Sequence, residues 1–344
     1  MKNLWTCFVL CLCLFNSCRL LAEEKADESP TLIVVCGAPG TEEYAKEFGQ
    51  WLEQWKQVAE QGKVGWVLIG SAKLSAGDSA SETSDRQRLE EALKEAAKRE
   101  SAELWLVLIG HGTYDRRQAK FNLEGPDVSA EELAEWLKPM KRPLVVVNCT
   151  SSSGPFLPVL SGENRAVISA TRSGAEQNFA RFGKSFVQAF LSKEADQDQD
   201  GQVSLLEAYL AAARLTARFY QDEGRLATEH PLLDDNGDRL GTPPDWYQGL
   251  RAIRKAKTDA TSDGLRAHQL HLIPSVQERE LPASVRLRRN TLELQIAQLR
   301  DRKQEMMEAE YYDELEMLLI ELAQLYESTT NSKESPNGDL KASK

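Results

Sequence analysis

The sequence predicts an α/β protein: a three-layer αβα sandwich around a mostly parallel sheet, followed by a C-terminal helical hairpin. Three observations predict it. Short, continuous apolar runs rich in β-branched residues recur between residues 31 and 170, and such runs suit strands buried on both faces of a sheet. Amphipathic helical stretches separate them, which is the alternation that βαβ crossovers produce. From residue 283 to Ser328 the chain has no Gly or Pro, and apolar residues return at helical spacing.

Each element has its own warrant, taken in chain order. Residues 1–22 carry Lys2, an apolar stretch over 4–15 and the small residue Ala22. That is the layout of a secretory leader, with an apolar core too short to span a bilayer, and it predicts a secreted or periplasmic protein. Phe15-Asn16-Ser17-Cys18 offers an alternative, a lipid anchor through Cys18. Residues 23–30 form a polar spacer. Strands are expected at 31–36, 64–70, 104–110, 144–149 and 166–170. Helices are expected at 42–60, 84–98, 129–137 and 176–191. Ser129 with Glu132 makes a capping box for the third helix. Residues 201–250 continue as a helix and then a polar loop, closed by Thr242-Pro243-Pro244. The domain thus spans 31–250, with a linker over 251–280.

The hairpin, 281–328, carries one stripe of Leu292, Ile296 and Leu299 and a second of Leu315, Leu318, Leu319, Leu322, Leu325 and Tyr326. The two stripes lose phase through 305–310, which favours two helices over one rod and suits packing or self-association. Residues 329–344 are polar and read as a disordered tail.

The leader holds four of the six cysteines and only two charges, Lys2 and Arg19. Without it the formal net charge of −11 becomes −13. An acidic surface of that size argues against nucleic acid and anionic membranes as partners. The two remaining cysteines, Cys36 and Cys149, do not make a disulfide scaffold. The expected strand order also sets the 104–110 strand between them, too far apart for a bridge.

Two strand ends carry chemistry. Leu106-Val-Leu-Ile-Gly-His111 ends on an imidazole, and Leu144-Val-Val-Val-Asn-Cys149 ends on a thiol. In open α/β sheets reactive groups collect at the carboxyl ends of strands. A thiol with a free pKa of about 8.5 needs a neighbouring base to become a nucleophile. Gly112 lets backbone come close, so its amide could serve an oxyanion hole. Thr150-Ser-Ser-Ser-Gly154 after the thiol leaves room for a substrate carbonyl.

With these residues the chain resembles the caspase-fold cysteine peptidases, the legumain-type ones especially. The resemblance covers 31–250 and rests on Ile109-Gly-His-Gly112, on a second strand ending near Cys149 with Ser153-Gly154 downstream, and on the 38-residue step from His111 to Cys149. It implies a caspase-like sandwich, a His111/Cys149 dyad and a peptide or protein substrate. It also implies a pocket at the end of the 166–170 strand, with Ser169 and Arg172 as candidate lining residues. One departure matters: the family places its nucleophile three residues before the Gly of Ser-Gly, and here that position is Ser151. Either Cys149 acts after a longer turn, or Ser151 fills the nucleophile position and the chain is an inactive, calcium-binding scaffold or interaction protein.

The most specific motif lies elsewhere. Asp196-x-Asp198-x-Asp200-Gly201-Gln202-Val203-Ser204-x-x-Glu207 matches a twelve-residue calcium loop. Asp196, Asp198 and Asp200 supply carboxylates, Gln202 a carbonyl, Ser204 a water-holding hydroxyl and Glu207 two oxygens. A hard cation needs about six to eight oxygens, and this spacing supplies most of them from one loop. A structural calcium ion is the expected cofactor. Asp234-Asp-Asn-Gly-Asp238 reads as a second acidic turn without a far-end Glu, and His268 and His271 as exposed linker residues.

Overall fold

A computed structural model describes residues 29–70, 83–257 and 260–333. The leader, including Cys18, and the end of the polar tail lie outside the described residues. Among them, no helix is long and apolar enough to cross a membrane.

In chain order the elements begin β1 (Thr31–Cys36), α1 (Glu42–Gly62), β2 (Gly65–Ile69), α2 (Asp85–Ala96) and β3 (Leu104–Ile109). A small antiparallel sheet follows: β4 (Gly112–Tyr114), β5 (Ala119–Phe121) and β6 (Val128–Ser129). Then come α3 (Ala130–Leu137), β7 (Leu144–Asn148), α4 (Phe156–Leu160), β8 (Arg165–Ser169), α5 (Phe182–Phe190), α6 (Leu205–Asp222) and β9 (Leu232–Asp234). The main sheet runs β2-β1-β3-β7-β8-β9. Its first five strands are parallel, and β9 closes one edge antiparallel to β8. This is the expected three-layer sandwich, and β3 does separate Cys36 from Cys149; both are free thiols.

Side-chain parity explains both layers. Leu32, Val34 and Cys36, with Trp105, Val107, Ile109, Val145 and Val147, face one side, where Phe48, Trp51 and Trp55 of α1 and Phe182 and Phe186 of α5 meet them. Ile33, Val35, Leu104, Leu106, Leu108 and Val146 face the other, against Leu89 and Leu93 of α2 and Leu133 and Leu137 of α3. Alternate residues thus fill opposite cores, which is why the strands read as unbroken apolar runs. Each fully buried aromatic or aliphatic side chain contributes roughly 1.5–3 kcal/mol.

Helix starts follow local chemistry. Thr41 caps α1, and Ser84/Gln87, Ser129/Glu132 and Ser204/Glu207 form capping boxes for α2, α3 and α6. The helix expected at 176–191 begins only at Phe182. Residues before it are drawn into a loop by tertiary bonds: the Ser152 amide donates to Glu176 O (2.8 Å), and the Ser152 hydroxyl donates to Gly174 O (3.1 Å).

Beyond the sandwich come a short ribbon, β10 (Tyr247–Gln248) with β11 (Arg251–Ala252), then α7 (Val276–Glu280), α8 (Ala283–Asp301) and α9 (Glu308–Lys333). The last two are the hairpin, broken where the stripes lose phase. Helix α9 runs five residues into the stretch read as a disordered tail, because no Gly or Pro intervenes before Pro336.

Candidate functional site

The carboxyl ends of β3 and β7 are neighbours, as the spacing of His111 and Cys149 requires. What their side chains do is set by parity and by the small sheet. The chain leaves β3 through Gly110, at φ 148°, with Gly37 Cα 3.2 Å from where a Cβ would stand. His111 then packs its ring among Tyr44, Phe48 and Phe179, with centroids 4.8, 5.5 and 6.0 Å away. Its Nε2 lies 3.2 Å from Pro39 O. Burial pushes the imidazole below its ordinary pKa, partly offset by that carbonyl.

Cys149 corrects the expectation of a thiol in an open crevice. It continues the parity of Val145 and Val147 into the α1/α5 core and is 1% exposed. A Cβ on Gly183 of α5 would stand 3.1 Å from Cys149 Sγ and 2.9 Å from Trp51, so helix and strand close tightly over the sulfur. Burial, aided by the Glu229 charge, pushes the thiol well above its ordinary pKa. No hydrogen bond joins it to His111 among the described residues. Cys36 is likewise buried and pushed up to about 12.

Ser151, the alternative nucleophile position, is buried as well. It is 4% exposed, its Oγ accepts from the Gly112 amide (3.2 Å) and donates to Gly112 O (3.1 Å). The Gly112 N–H, expected to be free for an oxyanion, is therefore used internally, and a Cβ there would fall 2.2 Å from Ser151 O. Parity turns Thr150 away from Cys149; its hydroxyl sits beside Gly112 and donates to Asn148 Oδ1 at 2.7 Å.

Of the two pocket candidates, Ser169 is fully buried and its Oγ donates to Thr171 O (2.9 Å). Its hydroxyl is thus taken up by the backbone of its own strand end. Arg172 is exposed and borders a cleft of about 760 Å³ shared with Arg214, Tyr220, His230 and Trp246. Its Nε lies 3.2 Å from Glu176 Oε1, which also meets His230 Nδ1 at 2.6 Å. Neither Glu176 nor His230 was legible as a partner, being 54 residues apart.

The acidic loop 196–207 folds into a tight turn at the start of α6, in which Asp196, Asp198 and Glu207 converge while both Asp200 oxygens accept from Gln202. Gln199 and Gly201 take left-handed φ values of 61° and 86°. The turn is held by Gly201 N to Asp196 Oδ2 (3.1 Å), Asp200 N to Asp198 Oδ1 (3.2 Å) and Gln202 N to Asp200 Oδ1 (3.0 Å). Glu207, in the first turn of α6 and 1% exposed, accepts from Gln197 N (2.7 Å) and from Ser204 N (2.9 Å). One oxygen each from Asp196, Asp198 and Glu207 lies within 4.8 Å of the others. Asp196 Oδ1 is sealed from solvent without a hydrogen-bond partner. Three converging carboxylates, one of which keeps an unpartnered oxygen, fit a hard cation.

The second acidic turn is a self-bonded turn: Asp234 accepts from Gly237 N and Arg239 N, and Asp238 from Leu240 N. Inside it, buried Asp235 and Asp263 face each other. Asp263 Oδ1 accepts from Asp235 N (3.0 Å), and burial with the neighbouring charge pushes Asp263 up to about 9. The linker histidines are not free. His268 Nε2 meets Asp198 Oδ2 at 2.9 Å, and His271 pairs with Ser204 as an antiparallel bridge, its imidazole pushed down to about 4 by burial.

No protein-family model matches the chain, and no curated protein matches it. Among solved structures it is similar to the Drosophila initiator caspase Dronc, at 12% identity over 62% of this chain and 81% of that one, with a TM-score of 0.39. It is similar to a structural-genomics target protein from Geobacter sulfurreducens, at 10% identity over 63% and 98% of the two chains, TM-score 0.39. It is also similar to caspase-1 from Spodoptera frugiperda, at 8% identity over 60% and 86%, TM-score 0.38. At these values the sheet order and the helix layers, not the likeness, define the fold.

Proposed function

We propose that this chain is an exported, caspase-like protein of the legumain type that has lost peptidase chemistry and serves as a calcium-stabilised interaction scaffold. The burial of Cys149 between β7, α1 and α5 carries this reading. A nucleophile must reach its substrate as a thiolate, and this sulfur is shielded and pushed toward the neutral form. Ser151 and the Gly112 amide satisfy each other, so neither a substitute nucleophile nor an open oxyanion donor supports hydrolysis. The caspase-like assignment draws on the His111 and Cys149 strands being neighbours in a mostly parallel sheet.

Calcium enters through Asp196, Asp198, Asp200, the Gln202 carbonyl, Ser204 and Glu207. Supporting observations are the convergence of three carboxylates and the unpartnered Asp196 Oδ1. The ion would tie the end of α5 to the start of α6, which together cover one face of the sheet. Extracellular calcium modules bind at roughly 0.1–1 mM, suited to an exported protein. Partners are peptides or proteins; the acidic surface disfavours nucleic acid.

The test pairs two measurements on the full chain. Cleavage of a mixed fluorogenic peptide library should be the same for wild type and Cys149→Ala. Thermal melting should rise with added calcium. Hydrolysis that disappears in Cys149→Ala would overturn the scaffold reading, and a melting temperature indifferent to calcium would overturn the metal assignment.

A further inference from the structure

Calcium loops of this kind usually work in pairs, and among the described residues no second hand stands beside this one. A different segment takes that place. Leu205 N donates to Leu270 O at 2.8 Å, and Ser204 forms an antiparallel bridge with His271. The loop is therefore docked by backbone onto the linker that leads into the hairpin.

Side chains extend the docking to the ligand residues themselves. His268 Nε2 lies 2.9 Å from Asp198 Oδ2, while Asp198 Oδ1 is held by the Asp200 amide. Gln202 Oε1 accepts from Ser275 N at 3.0 Å, and Gln202 Nε2 donates to Asp200 Oδ2 at 2.8 Å. Two of the loop's side chains, Asp198 and Gln202, are thus oriented from outside it, and Gln202 in turn holds Asp200. The same linker grips α8: Gln269 Nε2 donates to Asn290 O (2.9 Å) and Glu293 Oε2 (3.1 Å), and Arg289 pairs with Glu278 at 2.8 Å with both side chains largely buried. A cleft of about 310 Å³ lies where loop, linker and hairpin meet.

We propose that the segment from His268 to Ser275 is the second half of the calcium site, with His268 a positioning residue for Asp198, so that calcium binding and hairpin docking strengthen each other. The proposal rests on the calcium reading above. Carboxylates that bind metals are fixed by groups behind them, and removing such a group typically costs 10–100-fold in affinity. Because binding linkage is reciprocal, whatever factor docking adds to calcium affinity, calcium adds to docking. The helical hairpin is then the part of the molecule that registers calcium.

The experiment uses the full chain and calcium alone as probe. Calcium affinity is measured by competition with a chelator dye for wild type, His268→Ala, His268→Gln and Arg289→Met, each checked for folding by circular dichroism. Protection of the linker and α8 is followed by hydrogen exchange with and without calcium. Expected are a loss of about tenfold in His268→Ala, recovery in His268→Gln, which keeps an N–H donor, and a weaker site in Arg289→Met. Calcium should also slow exchange in α8 of the wild type. Equal affinities in all four proteins, or tighter binding by His268→Ala, would overturn the coupling and leave the calcium site standing. Absence of calcium binding by the wild type would overturn both.

Discussion

Gly183→Ala tests whether Cys149 belongs to the core. Gly183 sits in the first turn of α5 with ordinary helical backbone, so alanine is conformationally allowed and only space opposes it. The added methyl would stand 2.6 Å from Cys149 Cβ, 2.9 Å from Trp51 Cζ3 and 3.1 Å from Cys149 Sγ. None of these atoms ends a flexible side chain. Overpacking of this kind costs about 1–3 kcal/mol, offset by roughly 0.5–1 kcal/mol from replacing a helical glycine. The net loss, up to about 2.5 kcal/mol, lowers Tm by up to roughly 10 °C in a domain of this size. Cys149→Gly is destabilising alone, yet it opens the space the methyl needs. Urea melts of wild type, both single variants and the double variant complete the cycle. The coupling should favour the double variant by about 1 kcal/mol or more, as for residues in contact. Additivity to within about 0.5 kcal/mol would mean that residue 149 does not lie against α5, and the argument for a shielded thiol would collapse.

The remaining predictions address thiol access, metal and pH. Cys36 and Cys149 should both resist iodoacetamide at pH 7.5 until urea unfolds the chain, with mass spectrometry locating the label; fast labelling of native Cys149 that disappears in His111→Ala would contradict their burial. At 10 mM, calcium should stabilise the wild type by about 1.4–2.7 kcal/mol if it binds in the usual extracellular range. Asp196→Asn combined with Glu207→Gln should lose that increment while keeping the α6 capping box, and a retained calcium response would place the ion elsewhere. Asp263 holds its proton in the fold up to about 9, whereas the unfolded chain releases it near 3.9. Its contribution is therefore fully present below pH 4 and declines as pH rises toward 9. Asp263→Asn should accordingly gain stability over the wild type across that window, and parallel Tm–pH curves would refute the assignment.

The sequence by itself determined the layers. Unbroken apolar runs alternating with amphipathic stretches gave strands buried on both faces, Ser129 with Glu132 marked where one helix begins, and Asp196, Asp198, Asp200, Gly201 and Glu207 marked a tight acidic turn at the start of α6. These are local patterns, decided by residues within a turn or a strand of one another. Tertiary structure decided what the pattern could not reach. Whether a strand-end residue faces crevice or core depends on parity combined with the helix laid over it, so α5 and Gly183 settled the fate of Cys149. The small sheet after β3, too short to show a period, satisfied Gly112 with Ser151. The contacts of His268 with Asp198 and of Glu176 with His230 join residues 70 and 54 positions apart. No periodicity spans such distances, and only the folded chain brings those groups within hydrogen-bonding reach.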